Sequence, residues 1–244
     1  MKQLIVIIFM IFSAFSYAQN KQSITMVTDQ WDPYYGSELK NNGPVAEITS
    51  AVLAQLDYQL QVSFIPWKRA VEYSKNGKYQ AVLGGYYNQQ RAEHFWYSDS
   101  IATSDIVLFS QVENRVQVTT IASLNNQRVC VINGYFNGES FKKNQKIVRV
   151  KSNTLKHCFE RLIAGRVDYL VANRLVGLAL LNKEFVEDKS TIQPMPLLLA
   201  QEQIYILWSK NVAENFELNK QFNRALQQLI NSGKVQQIWQ KHGY

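Results

Sequence analysis

The sequence predicts an α/β protein built from two lobes. Short apolar runs typical of strands alternate with longer runs of helical periodicity, once before and once after about residue 110. The composition, 46% hydrophobic and 18% charged, is typical of a globular protein, and the chain contains no low-complexity tract or internal repeat. The 244 residues suffice for one large domain or two small ones, each with its own core.

Two contrasting patterns of apolar residues predict the first series of strands and helices. Ile48 and Val52 recur at helical spacing, whereas Leu60 and Val62 alternate as in a strand with one buried face. Pro66 occupies a first-turn position, which proline tolerates in a helix. The series predicts a strand at 24–27, a helix from about residue 45, a strand at 60–64, a helix at 66–77 and a strand at 81–83.

The second series continues the alternation after a strand-like segment at 106–109. Phe222 and Leu226 lie on one face of a helical pattern near the end of the chain, and Ile238 belongs to a second such pattern. The series predicts a strand at 129–132, a helix at 155–164, strands at 169–172 and 205–208, and two C-terminal helices. Strand-like crossings near 109–112 and 198–206 would join the two lobes as a hinge.

The N-terminus has the features of a secretory signal peptide. Lys2 precedes an apolar stretch from Leu4 to Phe15, and Ser16-Tyr17-Ala18 places small residues at the two positions that a signal peptidase recognises. A stretch of about a dozen apolar residues is too short to span ~30 Å of hydrocarbon. We therefore expect residues 1–18 to be cleaved and the protein to be exported to the periplasm. No cysteine follows the apolar run, so we expect no lipid anchor.

Charge and motif content exclude several classes of protein. Lys and Arg outnumber Asp and Glu by 26 to 19, but they are dispersed, and no basic run is longer than the pair Lys142-Lys143. This distribution is typical of a solvated surface and not of a nucleic-acid-binding one. The three histidines are isolated, and the chain has neither a Cys-x2-Cys motif nor a phosphate-binding glycine loop. We expect no metal and no cofactor.

The two cysteines allow two interpretations. Cys130 lies in an apolar strand-like run, and Cys158 lies on the inward face of a helical pattern with Phe159 and Leu162. They are either small buried hydrophobic residues or a disulfide, which an oxidising compartment permits. A bridge would close a loop large enough to stabilise the fold by about 3–4 kcal/mol.

Four segments, in this order and spacing, carry a resemblance to a known family. They are Trp31-Asp-Pro-Tyr34, Pro66-Trp-Lys-Arg-Ala70, Asn88-Gln-Gln-Arg91 with Phe95-Trp-Tyr-Ser98, and Leu162-Ile-Ala-Gly-Arg-Val-Asp168. The set resembles the bacterial extracellular solute-binding proteins of family 3, the periplasmic amino-acid-binding components of ABC importers. The likeness covers essentially the whole mature chain, and the Pro-Trp-Lys-Arg-Ala stretch is similar to a divergent branch.

The resemblance implies a periplasmic-binding-protein-like fold, with two α/β lobes joined by a two-strand hinge and a ligand cleft between them. Lobe 1 would comprise residues 19–109 plus 204–244, and lobe 2 residues 110–203. The implied function is to capture a small carboxylate-bearing, amino-acid-like solute and to deliver it, as a monomer, to a membrane ABC permease. Lobe 1 would supply aromatic side chains and an arginine for the carboxylate, and lobe 2 backbone donors and an acid for an α-ammonium group.

Arg91 is the first candidate ligand-binding residue. Asn88 is a plausible N-cap, which places Arg91 in the first turn of a short helix. A guanidinium group recognises a carboxylate through two parallel hydrogen bonds, a geometry that lysine cannot match. The alternative is an ordinary exposed arginine, but the matching context through Tyr97 and Ser98 favours a ligand-binding role.

Further candidates in lobe 1 lie where the family places aromatic side chains around the ligand. Trp31, Tyr34 and Trp67 would shield the ligand from water, or else would pack in an ordinary core. Asp29, at the end of the first strand, would either accept a hydrogen bond from a ligand amine or cap the loop.

The loop before Arg91 departs from the family pattern. Gly84, Gly85 and Tyr86 stand where amino-acid binders usually offer serine or threonine hydroxyls, and the loop is one residue shorter. The glycines would allow a ligand to approach the backbone closely.

Lobe 2 departs further. Gly134-Tyr135-Phe136 replaces a typical Gly-Ser-Thr, and Asn173 stands where many family members have the aspartate that holds the α-ammonium group. An amide provides no counter-charge, and a buried unpaired ammonium is costly. Either another acid compensates, or the ligand is not a standard zwitterionic amino acid.

Two other functions are compatible with the same two-lobed fold. An enzyme similar to periplasmic cyclohexadienyl dehydratases would need a cleft acid with a raised pKa, and only Asp29 and Asp32 lie near the first loop. A sensory protein would report the ligand to a membrane receptor. We expect a binding protein without catalytic residues.

Overall fold

The computed structural model describes residues 22–113, 118–133 and 137–244. The predicted signal peptide at 1–18 and the candidate ligand-binding residues Tyr135 and Phe136 lie outside the described residues. Within the described ranges, no helix is both long enough and apolar enough to cross a membrane.

Ten strands and eight α-helices lie in the described residues. The strands are β1 (Gln22–Thr28), β2 (Tyr58–Phe64), β3 (Ala81–Val82), β4 (Phe95–Tyr97), β5 (Ala102–Gln111), β6 (Arg128–Ile132), β7 (Val148–Ser152), β8 (Tyr169–Asn173), β9 (Ile192–Ile204) and β10 (Leu207–Ser209). The helices are α1 (Pro44–Ala54), α2 (Trp67–Lys75), α3 (Gln89–Ala92), α4 (Glu139–Lys143), α5 (Leu155–Ile163), α6 (Arg174–Glu184), α7 (Asn215–Asn231) and α8 (Lys234–Lys241).

The first lobe is built on a sheet with the strand order β2-β1-β3-β10-β4, in which β1, β2 and β3 are parallel. Side chains alternate between its two faces, so Ala81 and Leu83 belong to one apolar cluster and Val82 to another. The larger cluster includes side chains of α1 and α7, and the smaller one includes Trp67 and Val71 of α2. Helices therefore cover both faces, as parallel strands require.

The second lobe is built on a sheet with the strand order β7-β6-β8-β5-β9. Cys130 in β6 points to one face, where it forms a disulfide with Cys158 of α5. Phe159 and Leu162 of α5 are buried in the same cluster. The prediction that these three α5 residues share an inward face is confirmed, and so is the bridged interpretation of the cysteines.

Two chain crossings join the lobes. β5 and β9 are long antiparallel neighbours, from the pair Ala102–Ile204 to the pair Gln111–Ile192, and both lie entirely in the second sheet. Sheet membership thus places the crossings between β4 and β5 and between β9 and β10. The boundaries at 109 and 204 stay a prediction, and the first of them falls within β5.

Candidate functional site

Arg91 is positioned by the N-cap of α3. The Asn88 side-chain oxygen accepts a hydrogen bond from the Arg91 backbone nitrogen at 3.0 Å, which confirms the predicted cap. α3 is only four residues long, so this bond and the preceding loop determine where the Arg91 side chain begins.

The guanidinium group of Arg91 has an unused donor. Nη1 is buried and has no hydrogen-bond partner within the described part of the chain. The guanidinium carbon lies 5.6 Å from the centre of the Trp67 ring, so one face of the group packs against an aromatic side chain. A buried charged donor without a partner is unfavourable by several kcal/mol, which an anion at Nη1 would relieve.

Gly85 forms the wall beside Arg91 and Trp67. A Cβ atom at this position would lie 3.1 Å from Trp67 Cη2, 3.2 Å from Leu207 Cδ1 and 3.6 Å from Arg91 Nη1. A side chain at this position would therefore press on Trp67 and Leu207. An open groove of about 560 Å³ also reaches Arg91, lined by residues of α2, α3 and their neighbours and by none of the second lobe.

Tyr35 connects this region with Asp29 and was not among the sequence-based candidates. Its ring is buried, and its hydroxyl donates to the Gly84 carbonyl oxygen at 3.4 Å. Burial raises the pKa of Tyr35, Asp29 raises it further and Arg91 lowers it, so both charged groups lie near the phenol. Burial also raises the pKa of Asp29. The position of Tyr35 next to the candidate Tyr34 was the only feature of the sequence that could have indicated its role.

Tyr35 also restricts position 84 to glycine. Its φ of +80° lies in the left-handed region, and an added Cβ would meet the Tyr35 ring at 2.3 Å. Glycine at position 84 is thus required by the backbone conformation and by the Tyr35 ring, whereas the close approach of a ligand stays a prediction.

A second group of predicted residues forms an aromatic cluster. Trp31 stacks on Tyr34 with ring centres 4.5 Å apart, and the Tyr86 ring meets Trp31 edge-on at 5.6 Å. Tyr34 is only 1% exposed. Leu175 and Val176 at the start of α6 pack against the same first-lobe core, so this cluster lies where the two lobes meet.

Hydrogen bonds link this cluster to the second lobe. Asn173 Nδ2 donates to the Tyr34 hydroxyl at 3.1 Å and to Ser104 Oγ at 2.5 Å, and the Tyr86 hydroxyl lies 2.5 Å from the same Ser104 Oγ. Asn173 Oδ1 caps α6 by accepting from the Val176 nitrogen at 3.0 Å. Burial raises the pKa of Tyr34 to about 12, so its hydroxyl stays neutral.

The structure therefore sorts the predicted residues into two adjacent groups. Arg91, Trp67 and Gly85 lie together, and Trp31, Tyr34, Tyr86 and Asn173 lie together at the lobe junction. Tyr86 follows Gly85 directly and so connects the groups. Ser104 was missed because nothing distinguishes it from other polar residues of a strand. No group of three metal-ligating side chains occurs in the residues that the structure describes.

A sequence-family comparison agrees with this architecture. The model of the bacterial extracellular solute-binding proteins, family 3, matches residues 24–243. The comparison with curated protein sequences finds no match.

Several solved structures are similar over most of their length. The probable amino-acid ABC transporter extracellular-binding protein ytmK from Bacillus subtilis has a TM-score of 0.74 and 16% identity, over 90% of this chain and 97% of that one. The amino acid ABC transporter substrate-binding protein AbpA from Streptococcus pneumoniae, bound to L-arginine, has a TM-score of 0.66 and 16% identity, over 91% and 94%. The GluR0 ligand-binding core from Nostoc punctiforme, in complex with L-glutamate, has a TM-score of 0.65 and 17% identity, over 89% and 98%. These likenesses confirm the predicted two-lobed α/β fold.

Proposed function

This chain belongs to the bacterial extracellular solute-binding proteins of family 3, and we propose from this premise that it captures a small carboxylate-bearing solute at Arg91. The observation that carries the proposal is the buried Nη1 of Arg91, which has no hydrogen-bond partner in the described residues. An arginine donor and a carboxylate oxygen form one of the strongest hydrogen bonds in proteins, because both groups are charged.

The surroundings of Arg91 support a ligand with an apolar or planar body. The Trp67 ring packs against the guanidinium group, and the Gly85 backbone lies beside both side chains. Aromatic and apolar walls with a few fixed polar groups are the usual lining of small-molecule sites. We propose that the ligand lies between Arg91 and the lobe junction.

The proposed role is transport. The exported, monomeric protein would deliver its ligand to a membrane ABC permease, since two of the similar structures are named as components of amino-acid ABC transporters. The predicted signal peptide and the periplasmic location are part of this proposal. The lobe division at 19–109 plus 204–244 and at 110–203 stays a prediction, whose first boundary lies inside β5 of the second sheet.

We further propose that the protein binds its ligand without converting it. The family and the compared structures are named for binding. Incubation with prephenate and detection of product would reveal the dehydratase alternative, and a neighbouring histidine-kinase gene in place of permease and ATPase genes would favour the sensory one.

A thermal-shift screen tests the proposal. A ligand that binds only the folded state stabilises it by about 2.7 kcal/mol at a concentration of 100 Kd. We expect at least one amino acid or organic acid to raise the melting temperature of the wild type, and Arg91→Ala to abolish this rise. The matched control is Arg69→Ala, which removes an exposed arginine of α2 outside the groove. An equal rise in Arg91→Ala and in the wild type would contradict the carboxylate clamp.

A further inference from the structure

Glu202 lies on β9 directly opposite Ser104 of β5. The pairing of these two strands is regular on both sides of this pair, and the first register shift comes only after Ile106. Residues directly opposite each other in an antiparallel sheet place their side chains on the same face, with Cβ atoms about 4.5–5.5 Å apart. The side chains of Glu202 and Ser104 are therefore neighbours on one face of the second sheet.

Hydrogen bonds show that this face is turned toward the lobe junction. Ser104 Oγ accepts from Asn173 Nδ2 at 2.5 Å, and it lies 2.5 Å from the hydroxyl of Tyr86. Asn173 ends β8 of the second sheet, whereas Tyr86 lies in the loop after β3 of the first. Glu202 is thus the neighbour of a serine that contacts both lobes.

The end of β9 also lies next to the loop that borders Arg91. The Tyr205 backbone nitrogen donates to the Gly85 carbonyl oxygen at 3.0 Å, and a Cβ atom at Gly85 would lie 3.6 Å from Arg91 Nη1. Glu202 precedes Tyr205 by three residues, which corresponds to roughly 10 Å of strand. Because both charged side chains are long, this spacing is compatible with a small solute that contacts the guanidinium group and the carboxyl group together.

The carboxyl group of Glu202 is available for a ligand. In the part of the chain that the structure describes, no group forms a hydrogen bond or an ion pair with it. Burial raises the pKa of Glu202, so the protein stabilises this carboxylate less than water does. Asp105, on the opposite face, accepts from Gln201 Nε2 at 2.8 Å and lies 3.9 Å from Arg174 Nε. A positive charge beside Glu202 would offset the cost of its partial burial.

We propose that Glu202 binds a positively charged nitrogen of the ligand, so that the ligand is a zwitterion whose carboxylate lies at Arg91. This proposal rests on the proposed capture of a carboxylate by Arg91. An ammonium or guanidinium group and a carboxylate form a charge-assisted hydrogen bond, which is about twice as strong as one between neutral groups. Glu202 is then the residue that makes the protein prefer such a solute to an acid of the same skeleton without the nitrogen.

Calorimetric titration with probes built on one carbon skeleton tests the proposal. Lysine carries two cationic nitrogens, norleucine lacks the one at the end of the side chain, 6-aminohexanoate lacks the α-nitrogen, and hexanoate lacks both. Phenylalanine with 3-phenylpropanoate, and glutamate with glutarate, extend the comparison to other skeletons. We expect at least one cationic probe to bind roughly tenfold or more tightly than the acid without its nitrogen.

Glu202→Gln removes the charge and keeps the shape of the side chain. Because the carboxyl group has no partner in the described residues, we expect this variant to fold and to melt at the wild-type temperature without ligand. It should bind the cationic probes roughly tenfold or more weakly, and the nitrogen-free acids at least as tightly as the wild type does. Arg91→Ala should instead weaken both members of every pair.

Glu187→Gln is the matched control. Glu187 is exposed and precedes the start of β9 at Ile192, whereas Glu202 lies near the other end of that strand. We expect this variant to bind every probe as the wild type does.

The outcomes separate the two proposals. Binding of none of the probes, or equal binding by the wild type and Arg91→Ala, would overturn carboxylate capture and this proposal with it. If Arg91→Ala weakens binding but the wild type does not prefer the cationic probes, only the role of Glu202 is wrong. An equal change for both members of a pair in Glu202→Gln would overturn that role as well.

Asp29 is the competing acid, because burial also raises its pKa and it lies on the first-lobe side. We expect Asp29→Asn to leave the affinity ratio within each pair unchanged. A selective loss of the cationic probes in Asp29→Asn, without such a loss in Glu202→Gln, would assign the cationic nitrogen to Asp29 and contradict the proposal.

Discussion

Asn173 Nδ2 lies 3.1 Å from the Tyr34 hydroxyl and joins the loop after β1 to the end of β8 across 139 residues of sequence. The same hydroxyl donates to the Thr103 carbonyl oxygen at 3.1 Å, so Tyr34 contacts the second lobe at two points. This contact links the two lobes, and it uses a hydrogen-bond donor of the Asn173 amide.

We expect Tyr34→Phe to lower the free energy of unfolding by about 1–3 kcal/mol, because it leaves buried polar groups without a partner. Chemical denaturation measures the change. The control is Tyr87→Phe, since Tyr87 is 59% exposed and lies outside the junction. Equal stability of the two variants would show that the hydrogen bond contributes nothing.

We expect Gly85→Ala to weaken ligand binding by about tenfold or more while the protein stays folded. The added Cβ would lie 3.1–3.2 Å from Trp67 and Leu207, so the Trp67 ring that packs on the Arg91 guanidinium group must shift. Titration with a carboxylate identified in the thermal-shift screen measures the loss. Gly165→Ala is the control, because nothing lies within 4 Å of its Cβ. Unchanged affinity in Gly85→Ala would place the ligand elsewhere.

The disulfide closes a loop with a sequence separation of 28, and its removal should lower the free energy of unfolding by about 3–4 kcal/mol. The double variant Cys130→Ala with Cys158→Ala should have a lower melting temperature than the oxidised wild type. Dithiothreitol should lower the melting temperature of the wild type but not that of the double variant. A wild type insensitive to dithiothreitol would contradict a stabilising bridge.

Glu47 of α1 forms hydrogen bonds with Lys241 and His242 at the end of the C-terminal helix. We therefore expect the stability of the protein to depend on pH. Burial raises the pKa of this carboxyl, but hydrogen bonds from Lys241, Asn41 and His242 outweigh burial and lower it to about 2. The carboxylate therefore contributes stability above pH 4.5, its ordinary value, and loses that contribution as the pH falls toward 2.

Melting curves from pH 7 to pH 2 measure this effect. We expect Glu47→Gln to melt below the wild type at neutral pH, with a difference that shrinks as the pH falls through that window. Glu38→Gln, which changes an exposed carboxyl nearby, is the control. A difference independent of pH would contradict the role of the charge.

Local patterns in the sequence predicted local structure well. The cap formed by Asn88 depends on a residue three positions before Arg91, and the inward face of α5 depends on helical spacing. Both patterns lie within one turn or one helix, where the backbone geometry determines which side chains meet.

Long-range contacts were not predictable in the same way. β9 extends over Pro194 and Pro196, which a central strand would not tolerate, but β9 is an edge strand of its sheet. The packing of the protein in three dimensions determines the hydrogen bond between Tyr34 and Asn173 and the lack of a partner for the Arg91 donor. The spacing of apolar residues along the chain does not predict that packing.

A crystal structure of the protein with its tightest-binding carboxylate tests the central claim most directly. We expect a carboxylate oxygen about 2.7–2.9 Å from Arg91 Nη1, with the body of the ligand against Trp67. A carboxylate bound elsewhere, with Nη1 still lacking an anionic partner, would contradict it.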